Sequence, residues 1–149
     1  MLSNVYQNGK FLEIFNKPII IYTLEGFQKH PLIDAIELVC IDGGHDVLWA
    51  YARQYNISKL KWVMSGGKTG QESIRNGVYN LEGICKDNDL VIIHDGIRPM
   101  VDESVLTDVI KVAKEKGNAV TSLPYNEQIF VINQEDPTTT RQYIPRETL

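Results

Sequence analysis

The sequence predicts an α/β fold, a three-layer sandwich with a mostly parallel sheet. Amphipathic helical patterns alternate with short apolar runs over the first 123 residues, and polar turn residues bound the runs AIELVCI and LVII. Strands that alternate with helices imply crossover connections and parallel strands covered by helices on both faces. After Pro124 the alternation stops and extended patterns follow.

Four segments have the spacing of amphipathic helices, with apolar residues three and four positions apart. Pro18 is placed at the first helical position, where no backbone hydrogen bond is lost, and Gly117 is a natural stop for the last helix. The predicted helices run from Lys17-Pro18 to before Pro31, from Val47 to Tyr55, from Gln71 to Leu81 and from Glu103 to Lys116.

Four apolar runs between these helices are predicted to be strands. Leu90–Ile93 is the clearest of them, because it is wholly apolar, is rich in β-branched residues and lies between acidic residues. His30 and His45 fall outside the strands and are predicted to be surface residues. The predicted strands are Ala35–Ile41, Leu60–Met64, Leu90–Ile93 and Ala119–Leu123.

The region after Pro124 is predicted to form a β-hairpin. Ile129–Ile132 and Thr138–Ile144 are extended patterns joined by a polar stretch, and no helical pattern follows to cover them. Such a hairpin either packs on a partner chain or lies as a simple edge hairpin, and the pattern alone favours neither.

Composition excludes several classes of protein. A chain of 149 residues is about one domain, and 43% hydrophobic with 23% charged residues is ordinary for a globular protein. A formal net charge of −4 argues against nucleic-acid binding through a basic surface. No apolar run reaches the roughly 18 residues of a membrane helix. Cys40 and Cys85 form no disulfide framework, so both are predicted to be buried or inert thiols in a reducing, cytoplasmic compartment.

A glycine-rich loop, Ser65–Gly70, follows the second predicted strand. Glycines let backbone N–H groups approach an anion or a base edge, and the next helix offers its positive end, worth about 0.3–1 kcal/mol to a negative group. The loop is not a P-loop, because Trp62 stands where that motif requires glycine. Ligand binding and a plain tight turn both remain open.

The segment HDGIRP follows the strand Leu90–Ile93. Ligands of open α/β sheets bind beyond the carboxyl ends of the strands. Asp95 is therefore placed to hold Mg²⁺, which takes one or two carboxylates plus substrate phosphates, and Arg98 is placed to grip a phosphate. The alternatives are that Asp95 is a turn residue and Arg98 a solvated charge. His94 is predicted to be structural.

The segments KFLEIFNKPIIIYTLEGF, SGGKTGQESIRNGV, DLVIIHDGIRP and YIPRETL, in this order, resemble the cytidylyltransferases of the methylerythritol-phosphate and ribitol-phosphate type. The resemblance covers nearly the whole chain, and HDGIRP and SGGKTGQES are its specific parts. It implies a fold like that of the nucleotide-diphospho-sugar transferases, with a β-arm over about residues 125–146 that joins a homodimer. It also implies transfer of CMP from CTP to a polyol phosphate with release of pyrophosphate, and Mg²⁺ as cofactor.

The resemblance also implies roles for individual residues. Gly67 and Ser73 are expected to contact the cytosine, within a nucleotide-binding set that also includes Gly66 and Lys68. Asp95 is expected to bind Mg²⁺, with Gly96 presenting its backbone to the nucleotide. The residues expected in catalysis are Asp95, Arg98, which would bind the substrate phosphate, and Arg146, which would orient the polyol phosphate from the arm.

The chain departs from the family pattern at both ends, so we expect a single, truncated nucleotidyltransferase domain over residues 1–149. The family begins with a strand and a Gly-rich loop, and Gly9 stands at the position of a lysine that stabilises the transition state. We therefore expect little turnover from this chain alone. A catalytically inactive remnant that dimerises or binds nucleotide is one alternative, and a flavodoxin-like binding module is another.

The resemblance leaves the second substrate open between ribitol 5-phosphate, which would point to teichoic-acid or polysaccharide synthesis, and methylerythritol 4-phosphate, which would point to isoprenoid synthesis. The sequence GKTGQES at residues 67–73 favours the ribitol branch of the family.

Overall fold

The structure, a computed structural model, describes residues 6–7, 10–123 and 128–148. It has two compact units, residues 1–119 and residues 120–149. The first unit contains β1 (Tyr6–Gln7), β2 (Lys10–Phe11), β3 (Glu13–Ile14), β4 (Lys17–Pro18), α1 (Ile19–Lys29), β5 (Ile36–Cys40), α2 (His45–Gln54), β6 (Leu60–Ser65), α3 (Gly70–Asn80) and α4 (Glu103–Lys116). The second contains β7 (Ile129–Ile132), β8 (Thr140–Ile144) and a 3-10 helix, Arg146–Thr148.

The four predicted helices all form, and side-chain caps begin α3 and α4. Pro18 precedes α1 rather than opening it, because its ψ of 135° is not helical. The Asp102 carboxylate accepts a hydrogen bond from the Ser104 N–H at 2.8 Å and so caps the start of α4. Gly117 ends α4 with a φ of 90°, the left-handed conformation that glycine adopts freely.

The first unit has three layers around the parallel pair of β5 and β6. The pair aligns Leu38 with Val63 and Cys40 with Ser65. Successive side chains of a strand point to opposite faces. Leu38 and Cys40 join the buried core formed with α1 and α2, whereas a Cβ on Gly77 of α3 would lie 2.9 Å from Val39. Helices therefore cover both faces of this pair, as the predicted fold class requires.

The main core lies on the α1 and α2 side of β5. Burial of these apolar side chains is the dominant favourable term in folding, at roughly 25 cal/mol per Å² removed from water. The core residues are Phe11, Ile20, Ile21, Leu24, Leu38, Cys40, Leu48, Ala52, Ile57 and Leu60.

Two predicted strands are absent from the described residues. Leu90–Ile93 and Ala119–Leu123 pair with no strand there, and the only parallel pair in residues 10–123 is β5 with β6. Their apolar side chains are exposed, with Ile93 at 60% and Val120 at 88%. A run of β-branched residues predicts a strand only if a neighbour supplies hydrogen-bond partners, and no described segment does so here.

His30, predicted to be a surface residue, is enclosed instead. His30 is buried: its Nδ1 accepts the N–H of Leu32 at 3.2 Å, so its Nε2 carries the proton and donates to the Thr107 hydroxyl at 3.1 Å. The Lys17 ammonium, directly before α1, pairs with Glu25 at 2.6 Å and lies 4.4 Å from the centre of the Tyr22 ring.

The predicted hairpin forms within the second unit, where β7 and β8 are antiparallel and Phe130 faces Tyr143. The second strand begins at Thr140, two residues later than expected. The predicted arm begins at residue 125, and residues 124–127 lie outside those that the structure describes, as do Gly9 and residues 1–5. No helix in the described part of the chain is long and apolar enough to cross a membrane.

The two cysteines differ in environment. Cys40 is buried, whereas Cys85 is exposed, so of the predicted alternatives, buried or inert, burial is wrong for Cys85. Burial, with a smaller contribution from the nearby Asp42 carboxylate, raises the pKa of Cys40 to about 11 from its usual 9.0.

We expect the free energy of unfolding to fall as the pH rises from about 9 to about 11. In that window the unfolded chain has lost the Cys40 proton while the folded chain still holds it, so ionisation favours unfolding. Urea denaturation at several pH values should show a shallower decline for Cys40→Ala than for the wild type. Equal slopes would contradict the raised pKa.

Candidate functional site

The Asp95 loop, residues 94–98, is anchored to α1. The hydroxyl of buried Thr23 donates a hydrogen bond to the Gly96 carbonyl at 2.8 Å. The His94 ring packs against Phe27 with 5.1 Å between ring centres. Its Nε2 lies 2.9 Å from the Arg98 carbonyl, which can only accept, so Nε2 carries the proton. His94 thus supports the loop from inside, as predicted.

Asp95 and Arg98 form a close ion pair within this loop. The Arg98 Nε lies 3.2 Å from Asp95 Oδ2, and the Arg98 N–H donates to the Asp95 carbonyl at 3.0 Å. Partial burial acts to raise the pKa of Asp95, but hydrogen bonds and attraction to cationic groups, the Arg98 guanidinium among them, outweigh it and lower the pKa. The carboxylate is therefore ionised at neutral pH.

The glycine turn, residues 66–69, is held by the first turn of α3. The Thr69 hydroxyl accepts the Glu72 N–H at 3.1 Å, and the Glu72 carboxylate reaches back to Thr69, which together make a capping box. The Ser73 hydroxyl donates to the Thr69 carbonyl and accepts the Gly67 N–H, both at 3.0 Å.

The glycine turn leaves hydrogen-bond acceptors available, whereas an anion site would need donors. All four N–H groups are engaged: Gly66 with the Cys40 carbonyl at 2.7 Å, Gly67 with Ser73, and Lys68 and Thr69 with Glu72. Among residues 10–123, nothing donates to the carbonyls of residues 66–68. The turn therefore offers hydrogen-bond acceptors, which suit the amino edge of a base better than a phosphate.

A cleft of about 540 Å³ separates β5 and α3 from residues 91–96. Four of the predicted site residues line it, namely Ser73, Asp95, Gly96 and Arg98. Gly66, Gly67 and Lys68 do not line it and adjoin it through Ser73. The metal candidate Asp95 and the phosphate candidate Arg98 therefore share one cleft with Ser73, which the family resemblance implies at the base.

Arg146 is the one predicted catalytic residue outside this unit. It begins the 3-10 helix of the second unit, and its backbone alone is described. Its role therefore remains a prediction.

Sequence reasoning missed four residues that shape the site. Phe27 fits the apolar spacing of a helix without pointing to the site, and nothing in the sequence pattern singles out Thr23. Glu72 could have been found, because T-x-x-E before a helix is the signature of a capping box. Glu37 lines the cleft, where burial raises its pKa against the effect of a hydrogen bond from Asn80 at 2.8 Å.

Asp95 is the metal candidate. No group of three or more His, Cys, Asp or Glu side chains that could hold a metal occurs in the described chain. An ionised carboxylate beside a cleft still fits Mg²⁺, which commonly takes one or two protein carboxylates and completes its shell with phosphates and water. Asp95 is thus suited to a metal that arrives with its substrate.

Solved structures share this fold. A synthase from Anaerococcus prevotii, described as 4-diphosphocytidyl-2C-methyl-D-erythritol synthase, superposes with a TM-score of 0.78 at 18% identity, over 94% of this chain and 59% of its own. A second structure of that description gives 0.71 at 22% identity, over 93% of this chain and 63% of its own. The fold is therefore that of this class of synthase.

The sequence comparisons are more specific. Residues 3–146 match the family IspD: 2-C-methyl-D-erythritol 4-phosphate cytidylyltransferase. The chain is 55% identical to a ribitol-5-phosphate cytidylyltransferase from Lacticaseibacillus paracasei, over 94% of this chain and 59% of the relative. It is 35% identical to a 2-C-methyl-D-erythritol 4-phosphate cytidylyltransferase from Clostridium botulinum, over 83% of this chain and 60% of that relative.

The chain belongs to this cytidylyltransferase family. It spans about three fifths of the length of the curated relatives that it matches.

We expect Thr23→Val to destabilise the protein by about 1–2 kcal/mol, because the Gly96 carbonyl loses its hydrogen-bond donor in a partly buried position. Thr23→Ser keeps the hydroxyl and is the matched control. Urea denaturation measures both variants, and equal stabilities would mean that this bond does not anchor the Asp95 loop.

Proposed function

We propose that the whole protein is a cytidylyltransferase that transfers CMP from CTP to a polyol phosphate and releases pyrophosphate. The observation that carries the proposal is the cleft lined jointly by Ser73, Asp95, Gly96 and Arg98. Family membership and the names of the relatives support it.

The reaction asks mainly for positioning and charge neutralisation. An oxygen of the polyol phosphate attacks the α-phosphorus of CTP, the bond from that phosphorus to the bridging oxygen breaks, and pyrophosphate leaves with the bond's electron pair. In this proposal Arg98 binds phosphate oxygens as a fork of donors, and Arg146 orients the polyol phosphate. Arg98 is suited to this role because its side chain is 76% exposed and can turn towards a ligand.

Asp95 would hold Mg²⁺ in this proposal, because it is ionised and borders the cleft. The bound ion would supply neutralisation of the charge that develops on the phosphates. Arg98 would then exchange its contact with Asp95 for a contact with substrate phosphate.

The cytosine would lie against the glycine turn. Ser73 keeps one acceptor position after its two internal bonds, and the carbonyls of residues 66–68 add further acceptors. Cytosine carries an amino group at its 4-position, where uracil carries a carbonyl. An acceptor surface opposite that position favours cytosine.

We propose ribitol 5-phosphate as the second substrate, which would place the product in teichoic-acid or polysaccharide synthesis. Relatives named for ribitol 5-phosphate are 40–55% identical to this chain, whereas those named for methylerythritol phosphate are 33–35% identical. Two free cysteines agree with a reducing, cytoplasmic compartment.

A nucleotide-binding module without catalysis is the second candidate for this chain alone. It is favoured because the described part of the chain contains no group of three or more His, Cys, Asp or Glu side chains that could hold a metal. Nucleotide binding without pyrophosphate release from CTP, Mg²⁺ and ribitol 5-phosphate would select this candidate.

We further propose a homodimer through the hairpin. Phe130 and Tyr143 form a cross-strand aromatic pair 5.5 Å apart, and about half of each side chain is exposed. Exposed apolar side chains grouped on one strand pair are typical of contact surfaces.

We expect Asp95→Asn to weaken Mg²⁺-dependent CTP binding at least tenfold, because removing an ionised metal ligand costs about 1.4 kcal/mol or more. Calorimetric titration with CTP and with UTP, each with Mg²⁺ and with chelator, measures this. Asp108→Asn, at an exposed position of α4, is the matched control. Equal binding of CTP and UTP by the wild type would overturn the proposed function.

We expect Phe130→Ser to shift the protein from dimer to monomer at micromolar concentration, as measured by light scattering. Gln142→Ser alters the other face of the same hairpin and should leave the dimer intact. A wild type that is monomeric throughout would contradict the dimer.

A further inference from the structure

The Glu72 carboxylate binds backbone N–H groups of the glycine turn. Its Oε2 accepts the Lys68 N–H at 2.6 Å and the Thr69 N–H at 3.3 Å, so one carboxylate oxygen engages two successive backbone donors. The Glu72 N–H is bound in turn by the Thr69 hydroxyl at 3.1 Å. The side chain is therefore fixed at both ends.

Close packing at Gly67 supports this arrangement. A Cβ built on Gly67 would lie 2.2 Å from the Cβ of Glu72 and 3.0 Å from its carboxylate. Only glycine leaves room for the side chain to pass beneath the turn to the Lys68 and Thr69 N–H groups. The glycine at position 67 is thus required by the path of the Glu72 side chain.

Glu72 also determines which groups the turn can offer to a ligand. Without its carboxylate, the N–H groups of Lys68 and Thr69 would have no acceptor among their present neighbours and could turn outward as donors. With it, both N–H groups are occupied, while the carbonyls of residues 66–68 accept no hydrogen bond from residues 10–123. A surface of acceptors binds an amino group and repels a carbonyl.

We propose that Glu72 is a positioning and specificity-determining residue: by binding the Lys68 and Thr69 N–H groups, it keeps the glycine turn a surface of acceptors that selects cytosine over uracil. This inference rests on the proposed function, because it takes the turn as the place where the base binds. Glu72 acts through the backbone and does not itself touch the nucleotide.

Two substitutions of Glu72 separate the length of the side chain from its charge, and a third substitution serves as the control. Glu72→Gln keeps the length and one oxygen that can accept both N–H groups, but removes the charge. Glu72→Asp keeps the charge near the start of α3, which preserves the helix, but is too short to hold the Lys68 and Thr69 N–H groups. Gln71→Asn makes the same one-carbon change at the neighbouring exposed position and is the matched control.

The readout is the ratio of CTP to UTP affinity, measured by calorimetric titration in the full chain, together with amide hydrogen exchange of residues 67–69. We expect Glu72→Gln and Gln71→Asn to keep the wild-type ratio. We expect Glu72→Asp to lower the ratio about tenfold and to speed exchange at Lys68 and Thr69, because two hydrogen bonds are lost.

The outcomes distinguish this inference from the proposed function. A wild type that prefers CTP, with Glu72→Asp keeping that preference while the amides exchange faster, overturns the role of Glu72 and leaves the proposed function standing. A wild type that binds CTP and UTP equally overturns both. Loss of preference in Glu72→Gln but not in Glu72→Asp would show that charge, not reach, matters, and would also overturn the inference.

Discussion

The hydrogen bond from Thr23 to the Gly96 carbonyl is the constraint on which the site depends. Leu90–Ile93, the segment before the Asp95 loop, has no strand partner among the described residues. It therefore cannot hold the loop through the hydrogen bonds of a sheet. The loop is instead fastened to α1, whose apolar side enters the main core, by this bond and by the contact of His94 with Phe27. The position of the Asp95 carboxylate thus depends on how α1 packs in the core.

The helices were predictable because each carries its own signals. Periodic apolar positions define the buried face of α4, and Asp102 and Gly117 directly flank its fourteen residues. The hairpin was predictable for the same reason, since its two strands are close in sequence. That residues 90–93 and 119–123 form no strand was not predictable, because a strand needs a neighbouring strand that its own sequence does not specify.

The candidate site likewise has features that were predictable from the sequence and features that were not. Asp95 was a candidate because of a general rule about strand ends, whereas Ser73 was a candidate only through the family resemblance, and both border one cleft. The polarity of the glycine turn did not follow, because glycines permit either donors or acceptors to face outward. What decides it is the reach of Glu72 and the second hydrogen bond of Ser73, both of which depend on where α3 begins. Buried His30 shows the same limit, since its partner Thr107 is 77 positions away.

The unequal burial of the two thiols has a practical consequence. Cys85 is accessible and follows the end of α3, whereas Cys40 is enclosed, so a maleimide dye would attach at one known place. An eleven-residue helix is about 16 Å long, so such a dye would sit at the opposite end of α3 from the capping box. Its fluorescence would report fraying of the helix while leaving the cleft itself unlabelled.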